Sequence, residues 1–260
     1  MIKKHQKPYE EYNIKRKSYQ NGEELIITKK VPIRYNFVQD TKKSGNSYKK
    51  KDTTNLYNSL HRTKTNIIDI AKSNNWEWFI TITFDKQKVD RYNYEAVAKK
   101  FKKLLNNIKQ RKSPDLKYLL VAELHKDGAI HFHGLLSQIG ALNTVKTKNK
   151  DSSGHDIYNF TDFNLGFTQA TKVQNTKAVS TYISKYISLE LVVVAKNKHK
   201  YWCSKNLERP KETLEYIQEK KITNLNDNLK ELCDYYNEYA TTIEGVEQQH
   251  TTLFYFNSNT

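Results

Sequence analysis

Two short stretches carry side chains whose types and spacing suit chemistry. In IHFHGLL (130–136), His131 and His133 alternate with apolar residues, and in KYLLVAELH (117–125) Glu123 lies in a similar alternation. Both read as strands, and Asp127-Gly128 between them is a hairpin signal. Two registers are open. A two-residue loop (127–128) sets Glu123 against Phe132. A three-residue loop (126–128), with Gly128 left-handed in a G1 bulge, sets Glu123 across from His131 and Val121 across from His133. Facing residues of antiparallel strands have Cβ atoms ~4.5–5.5 Å apart, and alternate residues share a face. The second register therefore gathers Glu123, His131 and His133 on one side of the sheet. Two imidazoles and a carboxylate suit a divalent cation that keeps positions open for a phosphate oxygen or water. A carboxylate on a mostly apolar strand also needs a partner, because burying it unpaired is costly. His125 shares this face but sits at the turn and reads as a supporting or solvent residue. His5, His61, His155, His199 and His250 show no partner pattern and read as surface.

The second stretch is VSTYISKYISLE (179–190). Val179, Ile183 and Ile187 recur at helical spacing and form a stripe expected to be buried. Tyr182 and Tyr186 form a parallel row about 100° around the axis, at the edge of that stripe. Residues four apart on a helix have Cβ atoms ~5–6 Å apart, so both phenols can reach one locus. Lys185 sits beside Tyr186, with an ammonium free to reach a phosphate. Two tyrosines rimming a core need no chemistry at all. A phenol has a pKa near ~10 and is a poor nucleophile at neutral pH unless a cation or base helps it lose its proton. A metal that polarises a phosphate supplies such help. Tyr182, Tyr186 and Lys185 beside Glu123, His131 and His133 make a coherent phosphodiester-transfer centre, which none of them makes alone.

The elements around these stretches must position them. Leu56, Leu60, Ile67, Ile70 and Ala71 fall at roughly helical spacing. In WEWFITITF (76–84), Trp76, Trp78, Ile80, Ile82 and Phe84 face one way and Glu77, Thr81 and Thr83 the other, as in a half-buried strand. Residues 93–111 place Val97, Phe101, Leu104, Leu105 and Ile108 on one helical stripe. A further strand is expected at 166–173 and a helix from about 175 to 190. This mixture predicts an α+β fold, an antiparallel sheet with helices packed against it. The polar, basic stretch 41–52 reads as a solvated loop or linker. Three regions are expected: a basic N-terminal extension (1–66), the patterned domain (67–210) and an acidic, helical tail (211–260).

Charge narrows the partner. The 260 residues hold 44 Lys and Arg against 28 Asp and Glu, a net charge of +16. A balance of that size points to a polyanion, nucleic acid or an anionic surface. It excludes an acidic-ligand buffer, and the composition excludes a collagen-like repeat. Residues 206–260 reverse the sign, with 5 basic and 10 acidic groups. Cys203 and Cys233 show no zinc or disulfide-framework spacing and read as reduced thiols. The N-terminus lacks the apolar stretch of a signal peptide. The longest aliphatic run, Leu191 to Ala195, is far below the ~18 residues a span needs. A cytoplasmic protein without a membrane partner is expected.

At these residues the sequence resembles the rolling-circle replication initiators of the HUH endonuclease superfamily, of plasmid and phage type. FITITF (79–84) resembles the family's first motif, His131-Phe132-His133 its His-hydrophobic-His motif, and Tyr182-Ile-Ser-Lys185-Tyr186 its tyrosine motif. The segment YWCSKNLERP (201–210) is similar as well, and the likeness spans about residues 76–210. It implies an RRM-like antiparallel sheet with the His pair on a central strand. It also implies an activity, attack by a tyrosine on single-stranded origin DNA that leaves a 5′-phosphotyrosine and a free 3′-OH. Glu123, His131 and His133 would bind Mg²⁺ or Mn²⁺, Tyr182 would attack first and Tyr186 second. No G-x-x-x-x-G-K-[ST] is present, so a host helicase and DNA polymerase are the expected partners. Two other readings compete: a non-catalytic RRM-like single-strand binder, and a transposase or relaxase of the same superfamily.

Overall fold

The computed structural model describes residues 11–20, 22–30, 47–218, 223–243 and 246–257. Its chain begins with β1 (Glu11–Tyr19), β2 (Gly22–Lys30) and α1 (Ser47–Lys72). β3 (Trp78–Phe84), α2 (Tyr94–Arg111), β4 (Lys117–Leu124) and β5 (Ile130–Ser137) follow. Next come β6 (Thr144–Lys150), β7 (Asp156–Phe160) and β8 (Gly166–Lys172). α3 (Thr176–Tyr182), a 3₁₀ turn (Ile183–Tyr186) and α4 (Leu189–Val194) lead to β9 (Tyr201–Cys203). The described chain closes with β10 (Lys211–Gln218), α5 (Thr223–Leu232), β11 (Tyr235–Ile243) and β12 (Val246–Asn257). Two compact units result, one of residues 44–209 and one of residues 1–43 with 210–260.

The 44–209 unit is built on a seven-stranded antiparallel sheet of order β6-β7-β8-β3-β5-β4-β9. Alternation decides its faces. Trp78, Ile80, Ile82 and Phe84 of β3 are buried, while Phe79, Thr81 and Thr83 on the other face are only partly so. α2 starts at Asn93, whose side chain accepts hydrogen bonds from the Glu95 and Ala96 N–H groups. It buries Val97, Phe101, Leu105 and Ile108, and Phe101 stacks on Phe132 of β5 with centroids 4.4 Å apart. Because Phe132 alternates with His131 and His133, α2 covers the sheet face away from the histidines. The fold is thus α+β, as expected, and consistent with an RRM-like arrangement.

Three expectations need correction. The expected helix over 175–190 is broken. α3 ends at Tyr182, the 3₁₀ turn follows, and Ile187 is extended (φ −82°, ψ 109°). Ser188 then starts α4 by accepting from the Leu191 N–H, so a capping residue restarts the helix that a periodicity count runs through. The start of α1 at Ser47 makes residues 47–52 helical rather than loop, and residues 41–46 lie outside the described residues. The tail is not mainly helical: only α5 is, whereas β10, β11 and β12 are strands. Its Tyr, Thr and Phe content favours pleated structure, and its acidic charge carries no information about helix.

The smaller unit is a five-stranded antiparallel sheet of order β10-β1-β2-β12-β11. β1 and β2 form a strand pair, one of the roles open to the N-terminal segment. Ile14, Ile27 and Phe254 make its core, with Leu225 and Leu229 of α5 packed against them.

Candidate active site

The β4–β5 hairpin has the three-residue loop. Glu123 faces His131 and Val121 faces His133. Gly128 takes φ +85°, the left-handed conformation that a Cβ disfavours. Its N–H donates to the His125 carbonyl at 2.8 Å. The Asp127 carboxylate accepts from the Ala129 N–H at 2.9 Å and tightens the turn. The register therefore puts Glu123, His131 and His133 on one sheet face.

Neighbouring β3 orients both rings. Thr81 faces His133 and Thr83 faces His131. The Thr81 hydroxyl lies 3.1 Å from His133 Nδ1, and that of Thr83 3.4 Å from His131 Nδ1. His133 Nε2 is 2.7 Å from Glu123 Oε2. With the proton on Nε2 donated to Glu123, Nδ1 accepts from Thr81. The His131 ring stacks on His125, centroids 5.0 Å apart and planes at 14°, so His125 does support the site. Burial pulls both imidazoles below their ordinary value. For His131 the neighbouring His125 adds to the effect, and for His133 burial outweighs the opposing pull of Glu123. Both rings are therefore neutral at pH 7 and keep a nitrogen lone pair for a cation.

The tyrosines meet this face from above β5. Tyr186 lies flat on His133, centroids 3.6 Å apart and planes at 9°, a contact worth ~0.5–1.5 kcal/mol beyond area burial. Tyr182 meets Tyr186 edge-on at 5.4 Å, and Phe79 of β3 packs against both rings at 5.9 and 6.1 Å. Ile183 and Ile187 are buried beneath the turn, and Val179 is partly buried. The two phenols differ. Burial, then a hydrogen bond with Tyr182 and the nearby Glu123 charge, push the Tyr186 phenol well above its ordinary value and hold it protonated. Tyr182 is 44% exposed and is the accessible hydroxyl. The Lys185 ammonium is 4.9 Å from the Tyr182 ring centroid, a cation–π contact.

The donor set fits a divalent cation in type: two neutral imidazoles held at Nδ1 by threonines, and a carboxylate across from one of them. As the side chains stand, however, no group of three or more His, Cys, Asp or Glu among the described residues is arranged to hold a metal ion. Glu123 is engaged with His133 instead.

Rows run outward from the site. His131, Thr83 and Phe167 align across β5, β3 and β8, as do His133, Thr81 and Gln169. Phe167 is 70% exposed on this face. Sequence reasoning alone does not single out Thr81, Thr83, Phe79 or Phe167 as functional. It places Thr81 and Thr83 on the polar face of their strand, but only the pairing of β3 with β5 and β8 turns that face into the site.

Residues 77–190 match a family model described as a replication-associated protein of the ORF2 type. The chain is similar to a replication-associated family over this stretch. The match covers less than half of the 260 residues and takes in β3, the β4–β5 hairpin and both tyrosines. It supports a role in DNA replication and, with it, contact with DNA. No curated protein and no solved structure matches the chain. Among the described residues, no helix is long and apolar enough to cross a membrane.

Proposed function

We propose that this protein initiates rolling-circle replication as an HUH-type endonuclease, nicking and rejoining single-stranded origin DNA through a 5′-phosphotyrosine. The observation that carries the reading is an exposed phenol, Tyr182, one ring away from a Glu123–His133 pair on the face that also holds His131. The Tyr182 oxygen bonds to phosphorus, the bond from phosphorus to O3′ breaks, and O3′ leaves as a hydroxyl after taking up a proton. The phosphate remains on the tyrosine. Tyr186, kept protonated against His133, can donate a hydrogen bond to Tyr182 during this step and serve as the second nucleophile in the later transfer. Lys185 beside Tyr182 supplies positive charge near the scissile phosphate.

Glu123, His131 and His133 would hold a divalent cation, Mg²⁺ or Mn²⁺, which supplies Lewis-acid polarisation of the scissile phosphate. The cation would replace the proton now shared by Glu123 and His133. The open face around Phe167 and Gln169 offers a stacking surface and an amide to unpaired bases. Strand opening and synthesis then fall to a host helicase and polymerase.

The accessibility of Tyr182 favours this reading over a non-catalytic single-strand binder, in which both phenols only pack. The replication-associated similarity favours it over a transposase or relaxase. Incubation of the protein with a pool of single-stranded oligonucleotides and Mn²⁺ should yield discrete nicked products, and EDTA should abolish them. Products that persist undiminished in EDTA would contradict the assignment of Glu123, His131 and His133.

A further inference from the structure

The lysines of α2 share its surface unevenly. Lys102 and Lys109 lie two turns apart, on one stripe with Leu105 and Asn106. That stripe lines a groove of about 710 Å³ shared with β9 and the residues flanking it. Lys198, Lys200 and Lys205 line it from the β9 side, and Tyr118 and Trp202 add aromatic surface. None of the described residues lining the groove is acidic. Lys198 pairs with Glu95 at 2.7 Å. Among the described residues no carboxylate pairs with Lys102, Lys109, Lys200 or Lys205. Partial burial drags the Lys200 ammonium below its ordinary value, a cost that a bound anion would relieve.

This groove is separate from the tyrosine site. Trp202 pairs with Leu120 of β4 and packs edge-on against Phe132 at 4.7 Å, on the sheet face away from His131 and His133. Uncompensated like charges around one cavity repel each other, and a polyanion removes that repulsion while releasing counterions. Aromatic surface adds a preference. Unpaired bases can stack on Tyr118 and Trp202, whereas a duplex keeps its base faces to itself.

We propose that the groove between α2 and β9 binds a second segment of single-stranded DNA, remote from the reacting one, with its phosphates on the lysines and its bases against the aromatic rings. The proposal requires DNA binding but not attack by Tyr182.

Fluorescence anisotropy of the full chain with a labelled thymidine homopolymer of about 30 nucleotides tests it, over a range of NaCl and without divalent ions. A Lys102→Glu, Lys205→Glu variant changes two exposed side chains. It should bind on the order of tenfold more weakly, with a log–log salt slope shallower by about 1.4 for two lost phosphate contacts. The Lys102→Arg, Lys205→Arg pair should bind like the unmodified chain. If circular dichroism shows the glutamate pair misfolded, a Lys102→Gln, Lys205→Gln pair carries the same expectation. Unchanged affinity and slope in a folded charge-removal variant would overturn the proposal. A loss seen with duplex but not with the homopolymer would overturn the single-strand assignment. A Tyr182→Phe, Tyr186→Phe variant should keep full affinity, so failure of the nicking chemistry and failure of the groove are read separately.

Discussion

Thr81 and Thr83 occupy the Nδ1 atoms of His133 and His131 and so decide which nitrogen each ring offers to the site. Metal-ligating histidines depend on such second contacts, whose loss typically costs ~10–100-fold in metal affinity. Thr81→Val should therefore weaken Mn²⁺ binding by about that factor in calorimetry, with Thr81→Ser restoring most of it. Equal affinity in the valine variant would mean that the ring is oriented by Tyr186 stacking alone. Much of this site is legible in the sequence. Asp127-Gly128 offers two registers, and the left-handed Gly128 belongs to the one that joins Glu123 to His131. What cannot be read is nonlocal. Thr81 and Phe167 become site residues only through the pairing of β3 with β5 and β8, which no local pattern encodes.

At the scale of elements, close contact between β4 and β5 holds the hairpin. A Cβ at Gly134, next to His133, would lie 2.3 Å from Leu120 Cδ2 and 2.8 Å from the Leu119 carbonyl. Overpacking of this kind costs ~1–3 kcal/mol, so Gly134→Ala should lower the urea midpoint of the 44–209 unit by that amount. An unchanged midpoint would place the two strands further apart. The edge strand β9 can be probed through Cys203, whose thiol is pushed up from its ordinary value of 9.0 by burial. Only the thiolate reacts with iodoacetamide. With Cys233→Ser removing the other thiol, labelling of Cys203 should therefore keep rising with pH through pH 9. A plateau below pH 8.5 would mean that β9 leaves the thiol solvated. Helix positions are readable from periodicity, since Val97, Phe101 and Leu105 are buried as spaced. The break at Ile187 is not, because Ser188 capping competes locally with a stripe that continues on both sides.

Over the whole molecule, charge identifies the class of partner but not the architecture. The sign change after residue 205 suggests an acidic helical tail. Those residues instead supply three strands to the sheet begun by β1 and β2, because the run from Tyr235 to Asn257 is rich in side chains that pair well across strands. The candidate catalytic side chains and their supporting threonines all fall within residues 44–209, and the family similarity falls there too. The central claim is that Tyr182 carries the bond to DNA. Its most direct test is peptide mapping by mass spectrometry after incubation with cleavable single-stranded DNA and Mn²⁺. A nucleotide-bearing peptide modified at Tyr182, and lost in Tyr182→Phe, is the predicted result. An adduct that survives in the Tyr182→Phe, Tyr186→Phe variant would contradict it.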